Sequence, residues 1–169
     1  MTENIGKIHR QGETTPFLNI VLVSPGIPQN TGSIGRICVC LNARLHLIKP
    51  MGFHIDEKRI KRAGMDYWQY LDVTVHDHWD AFMESEKPEN MCFMSTKTEK
   101  TFYEHKFSKD EYVVFGSESQ GLPRHFYEDY KEQLLTIPMP GKHARSQNLA
   151  NSVSITAYEA YRQIFLGHL

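Results

Sequence analysis

The sequence predicts an α/β protein: a single domain with a mostly parallel sheet of about six strands and helices on both faces. Three observations carry that reading. Short apolar runs of strand length alternate with segments of helical periodicity along the chain. The first run, Leu18 to Val23, is continuously apolar, as expected of a strand buried on both faces of a parallel sheet. Finally, 169 residues with 40% hydrophobic content are enough to bury one substantial core.

The elements follow in order. The first strand, Leu18 to Val23, is stopped by Ser24-Pro25-Gly26. Pro28 to Gly32 reads as a loop with Asn30 and Thr31 as helix N-cap candidates. Ile34, Ile37, Cys38 and Leu41 then recur at helical spacing. Arg44 to Lys49 makes a second strand that Pro50 and Gly52 end, and Asp56 to Ala63 reads as a short basic helix broken at Gly64. A third strand is expected over Tyr70 to Val75, then a helix from His78 to Glu86 that Pro88 closes. Met91 to Ser95, Tyr112 to Gly116 and Leu134 to Pro138 are the remaining strands, with a short helix near Pro123 to Tyr130 between the last two. In the final helix Leu149, Val153, Ala157, Ala160 and Ile164 step by four, four, three and four, drawing one apolar stripe. Residues 1–17 are expected to be a disordered polar tail and residues 18–169 the folded domain.

Composition narrows the function. No apolar run approaches the roughly 20 residues of a membrane span, and the first residues lack a signal-peptide core, so a cytoplasmic protein is expected. A formal net charge of −1 excludes a globally basic nucleic-acid binder; such a surface must be local. The local candidate is Lys58, Arg59, Lys61 and Arg62. These cations beside Tyr67, Trp68 and Tyr70 read either as a solvated helix face or as a grip on a phosphate chain with unstacked bases. Cys38, Cys40 and Cys92 contain no CxxC pair, and the first two read as small buried hydrophobes in a helical pattern. His76 and His78 form an HxH pair without a further His or Cys at zinc spacing, so solvent-exposed histidines and no metal are expected.

Two strand ends deliver polar loops, Gly116 to Gly121 and Pro140 to Gln147, as in the small-molecule sites of α/β proteins. The first loop has the glycine spacing of a phosphate loop, but Leu122-Pro123 stand where Lys and Ser or Thr are needed. It is not a nucleophile elbow, and the chain has no GxGxxG. A tight loop exposing backbone amides and carbonyls suits a neutral purine or ribose, and reads equally well as a plain turn. Arg36 is either an ordinary surface charge or one aimed at the C-terminal edge of the sheet.

Three segments together resemble motifs one, two and three of the SPOUT RNA methyltransferases. They are Pro28-Gln29-Asn30-Thr31-Gly32-Ser33-Ile34-Gly35-Arg36, Phe115-Gly116-Ser117-Glu118-Ser119-Gln120-Gly121-Leu122-Pro123, and Ile137-Pro138-Met139 through Arg145-Ser146-Gln147-Asn148-Leu149-Ala150-Asn151-Ser152-Val153. Leu45 to Phe53, Lys61 to Tyr67 and Tyr158 to Gln163 extend the similarity, which runs from about Leu18 to Gln163. Within the family, the chain is most similar to members that methylate the ribose 2′-hydroxyl of the wobble nucleotide, cytidine or uridine, in the tRNA anticodon loop.

The resemblance implies a C-terminal trefoil knot, which pattern rules would never propose. It implies S-adenosylmethionine as methyl donor, S-adenosylhomocysteine as product, and a homodimer built on the final helix with Tyr158 and Tyr161. Cofactor contacts carried over residue by residue fall on Met94, Gly116, Glu118 and Ile137, and on Met139, Ser146, Asn148 and Leu149. Catalytic roles fall on Arg36, Asn30, Ser146 and Asn148. Arg36 matches the arginine that acts on the hydroxyl; a guanidinium is a poor base at neutral pH, so stabilisation of a developing alkoxide is the expected role. Asn30 would orient Arg36 or the ribose. The reaction needs no metal, because the sulfonium is already an activated donor and the enzyme's task is in-line alignment. Lys58, Arg59, Lys61, Arg62 and Arg145 are the expected contacts to the tRNA anticodon stem-loop. The loop Pro140 to Ala144 departs from the family by one extra residue and by His143 and Ala144, which bears on its cofactor contacts. Alternatives are the same chemistry on another RNA, such as ribosomal RNA, or a non-catalytic, cofactor-sensing RNA-binding protein.

Overall fold

The computed structural model describes residues 15–55 and 66–167. The expected basic helix Asp56 to Ala63, with Lys58, Arg59, Lys61 and Arg62, lies outside the described residues, as do residues 1–14.

Six strands form one sheet: β1 (Leu18–Val23), β2 (Arg44–Ile48), β3 (Val73–His76), β4 (Met91–Met94), β5 (Glu111–Phe115) and β6 (Leu134–Leu135). Their order is β3-β2-β1-β5-β4-β6 and every pairing is parallel. Helices α1 (Pro28–Leu41), α2 (Trp79–Glu86), α3 (Phe126–Asp129) and α4 (Leu149–Tyr161) connect and cover it. Both faces of β1 are buried, which is why its sequence is apolar throughout. Alternate side chains diverge: Leu18, Ile20 and Leu22 join Leu45, Leu47, Val113 and Phe115 under α1 and α4. Val21, Val23, Ile48, Phe93 and Val114 face the other way, where Phe82 of α2 and Phe126 of α3 fill the layer. Phe17, just ahead of β1, is buried edge-on against Tyr161 and Phe165. No helix among the described residues is long and apolar enough to cross a membrane.

Several expectations are corrected. Pro28 to Gly32 is not a loop but the first turns of α1, which starts after the N-cap residue Ile27. Proline suits the first helical position because it has no N–H to lose and its φ is already helical; Asn30 and Thr31 therefore lie inside the helix. Tyr70, expected to open a strand, instead closes a 3₁₀ turn over Asp66–Tyr70, and β3 begins at Val73. Tyr67 explains the shift, since its hydroxyl donates to the Gly32 carbonyl and ties the aromatic turn onto α1. β6 has two residues, with one further bridge at Thr136, because Pro138 and Pro140 cannot donate to a ladder. The last helix closes in a wider π turn at Arg162–Leu166. Cys38 is buried as expected, but Cys40 faces solvent on the outer side of α1.

Candidate functional site

At the C-terminal edge of the sheet a cavity of about 570 Å³ opens among the loops after β1, β4, β5 and β6. That is within the usual range for a small-molecule site, and its position is the one favoured in open parallel sheets.

Its frame is a chain of hydrogen bonds between segments far apart in sequence. Helix α1 has an apolar N-cap residue, Ile27, and no side-chain cap of its own. Glu118, in the loop after β5, supplies what is missing. Its Oε2 accepts from the Gly26 amide at 2.8 Å, and its Oε1 accepts from the Ile27 amide and the Asn30 side chain, both at 3.1 Å. A carboxylate at the positive end of a helix satisfies orphan donors and meets a favourable field. Burial pushes the Glu118 carboxyl up, yet the bonds from Gly26, Asn30 and Ile27 outweigh it and hold the group below its ordinary value. Asn30 passes the chain on: its Oδ1 accepts from Asn148 Nδ2 at 2.9 Å. Asn148 Oδ1 in turn accepts from the amides of Ala150 and Asn151 at 2.9 and 3.3 Å, capping α4. One network thus joins the loop after β5, the start of α1 and the start of α4.

Gly116 sets the floor. A Cβ at this position would lie 1.9 Å from the Gly121 carbonyl carbon, so only glycine fits. Ser117 and Gly121 exchange backbone hydrogen bonds of 3.1 and 2.9 Å, and Gly121 turns the loop at φ +72°.

The eight positions expected to contact a cofactor all border this cavity. Met94, Ile137, Met139 and Leu149 give it apolar walls, and Gly116, Glu118, Ser146 and Asn148 its polar ones. Asn30 borders it too, with its side-chain amide held between Glu118 and Asn148. Arg36 does not: it lies on the exposed side of α1, its guanidinium 4.8 Å from the centre of the Tyr67 ring. Arg145 and His143 are exposed on the loop before α4 and are not among the lining residues. Sequence reasoning missed Ser95, Lys97, Gln120 and Tyr127 on the same wall. The first two follow directly on β4, so the rule that ligands bind beyond parallel strand ends would have found them.

A second polar network lies inside the sheet, and none of its residues lines this cavity. His76, expected in solvent, is buried; His46 is fully buried beside it, with Nδ1 3.1 Å from His76 Nε2 and Nε2 3.3 Å from Asn19 Oδ1. Burial, then the neighbouring His76, hold the His46 imidazole down to about 3. His78 remains exposed and accepts from the Ala81 amide as the N-cap of α2. His105 and Glu111 pair near Cys92, and Glu111 also accepts from the Ser108 amide and hydroxyl. Both clusters bring metal-ligand atom types together, and in both those atoms meet protein partners.

Known proteins resemble this chain over most of its length. A tRNA (cytidine(34)-2'-O)-methyltransferase of Saccharophagus degradans is 45% identical over 149 residues, covering 88% of this chain and 96% of that protein. The enzyme of the same name from Escherichia coli is 43% identical over 149 residues, covering 88% and 94%. A solved structure described as giving structural insights into the 2-OH methylation of C/U34 on tRNA superposes with a TM-score of 0.80. It is 42% identical, covering 89% of this chain and 92% of that one. The model of the SpoU rRNA Methylase family matches residues 17–158, and the chain belongs to that family.

Proposed function

We propose that this protein transfers a methyl group from S-adenosylmethionine to the ribose 2′-hydroxyl of the wobble nucleotide, cytidine or uridine, in the tRNA anticodon loop. The observation that carries the reading is the cavity itself, framed by Glu118, Asn30 and Asn148, in a chain 45% identical to an enzyme named for that reaction.

The residues present fit the donor. The thioether and aliphatic walls of Met94, Ile137, Met139 and Leu149 suit an apolar base, and the polar groups of Ser146 and the Gly116–Gly121 loop suit a ribose. Because a Cβ at Gly116 would strike Gly121, the base of that turn is backbone packed on backbone, and the loop from Gly116 to Gly121 borders the cavity. When bound, S-adenosylmethionine supplies a methyl group already activated on a sulfonium. The protein's part is then alignment and charge stabilisation. The Arg36 guanidinium stabilises the oxygen that attacks, from an exposed position open to an incoming RNA. Asn30 acts as a positioning residue, since Glu118 and Asn148 already occupy its side chain. Ser146 and Asn148 orient the cofactor and the target.

Three finer features complete the proposal. The segment after β6 threads into a trefoil knot; in support, β6 lies at a sheet edge beside β4, whereas α4 returns to pack with α1. Two copies pair through α4, whose Ile155 and Tyr158 share one exposed face. Lys58, Arg59, Lys61, Arg62 and Arg145 hold the anticodon stem-loop. Charge reversal at Lys61 and Arg62 should weaken RNA binding and spare cofactor affinity, while Tyr158→Asp should yield monomers by sedimentation.

The deciding experiment incubates total tRNA and, separately, ribosomal RNA with the protein and cofactor and maps methylated nucleotides by mass spectrometry. Methylation of the ribose at the wobble position, lost in Arg36→Ala, is expected. A wild type that binds RNA but leaves tRNA unmethylated, or that marks only ribosomal RNA, would refute the proposal.

A further inference from the structure

The cavity carries little charge, and the way that charge is distributed has a consequence. Among its described lining residues Glu118 is the one carboxylate and Lys97 the one cation. Glu118 is already engaged: both oxygens accept hydrogen bonds from the N-terminus of α1 and from Asn30. Lys97 is not matched in this way. It is exposed, and among the described residues no carboxylate forms an ion pair with it. What holds it is a small device at the end of β4. Its backbone amide donates to Ser95 Oγ at 3.1 Å, and Ser95 Oγ is hydrogen-bonded to the Tyr127 hydroxyl at 3.2 Å. Its ammonium lies over the Tyr127 ring, 5.0 Å from the centre. The side chain is therefore oriented at the cavity rim by two links to one tyrosine, one through the backbone and one through the charge.

We infer that Lys97, positioned by Tyr127 and Ser95, receives the carboxylate of the cofactor's amino-acid tail and so fixes which end of the donor faces this rim. The inference rests on the functional reading above. A lone cation disfavours the sulfonium and ammonium of the donor and favours its one anionic group, so the two ends of the ligand are distinguished by charge. The Met94, Ile137 and Leu149 walls are left to the base.

The test compares two probes by calorimetry. S-adenosylhomocysteine carries the carboxylate; 5′-methylthioadenosine has the same nucleoside and thioether without the amino-acid tail. Lys97→Met should weaken S-adenosylhomocysteine about three- to tenfold, the range of a partly exposed charge pair. It should leave methylthioadenosine within twofold, and Lys97→Arg should restore most of the loss. The homocysteine loss should also shrink at high salt. Equal losses for both probes would mean that Lys97 only shapes the pocket, and would overturn the inference. So would unchanged binding of both probes with weakened RNA binding, which would assign Lys97 to a phosphate of the substrate. Wild-type protein that binds neither probe would instead remove the functional reading on which the inference stands.

Discussion

The network at the strand ends and the one inside the sheet are built from similar side chains, yet one borders the described cavity while the other runs through the buried core. In the core network Asn19 donates to the Asp110 carbonyl and carboxylate, His46 meets Asn19 and His76, and His76 meets Ser85. Its middle members, Asn19, His46 and His76, are buried, and its outer links end on Asp110 and Ser85 at the surface, so the network ties neighbouring strands to each other and to α2. In the open network the links end on two helix N-termini, and the loops they hold turn their remaining groups into the cavity. The same chemistry thus serves stability in one place and preorganisation in the other.

That contrast can be broken at chosen points. The largest effect is expected from Gly116→Ala, where backbone 1.9 Å away cannot give: more than about 3 kcal/mol of stability, with loss of S-adenosylhomocysteine binding. Denaturant unfolding and calorimetry would read both. His46→Ala should cost about 2–3 kcal/mol, leaving a cavity and stranding Asn19 and His76, while ligand affinity stays within twofold.

The core network also predicts a pH dependence. Unfolded, His46 takes its proton near 6.5; folded, it stays neutral down to about 3. The unfolded chain binds more protons between those values. Stability is therefore full above pH 6.5 and declines as pH falls toward 3, by at most about 1.4 kcal/mol per unit for this group. Burial lowers His76 as well, adding in the same direction. Glu118 acts in a different window, because a carboxyl held below 4.5 keeps its contribution above that pH and loses it as pH falls through its folded value. Unfolding curves between pH 6.5 and 5 should thus flatten in His46→Ala and keep their slope in Glu118→Gln.

The smallest change in stability should come from Asn148→Ala. It loses the α4 cap, about 1 kcal/mol, yet should weaken S-adenosylhomocysteine at least tenfold by releasing Asn30 and the last loop. A stability loss without an affinity loss at Asn148, or the reverse at His46, would erase the distinction between the two networks.

Sequence reasoning reached the sheet more easily than the loops. β1 has the bounds its apolar run implies, because burial on both faces leaves a continuous signal. Pro28 to Gly32 misled because Pro and Gly mark loops locally, whereas the cap for this helix comes from Glu118, roughly ninety residues away. His76 misled for a related reason: its partner His46 lies on the neighbouring strand, where no spacing rule looks. Pattern reached the two loops after β5 and β6, but the individual cavity positions came through family resemblance, since Glu118, Asn30 and Asn148 meet only in three dimensions. Lys97 carried a local signal, its place just past a strand end, and went unread.

A crystal of the protein grown with S-adenosylhomocysteine tests the central claim most directly. The account predicts the ligand in the cavity, bordered by Gly116, Ile137 and Asn148, with the Glu118–Asn30–Asn148 hydrogen bonds intact. Ligand density elsewhere on the molecule, or a saturated crystal without ligand in that cavity, would contradict it.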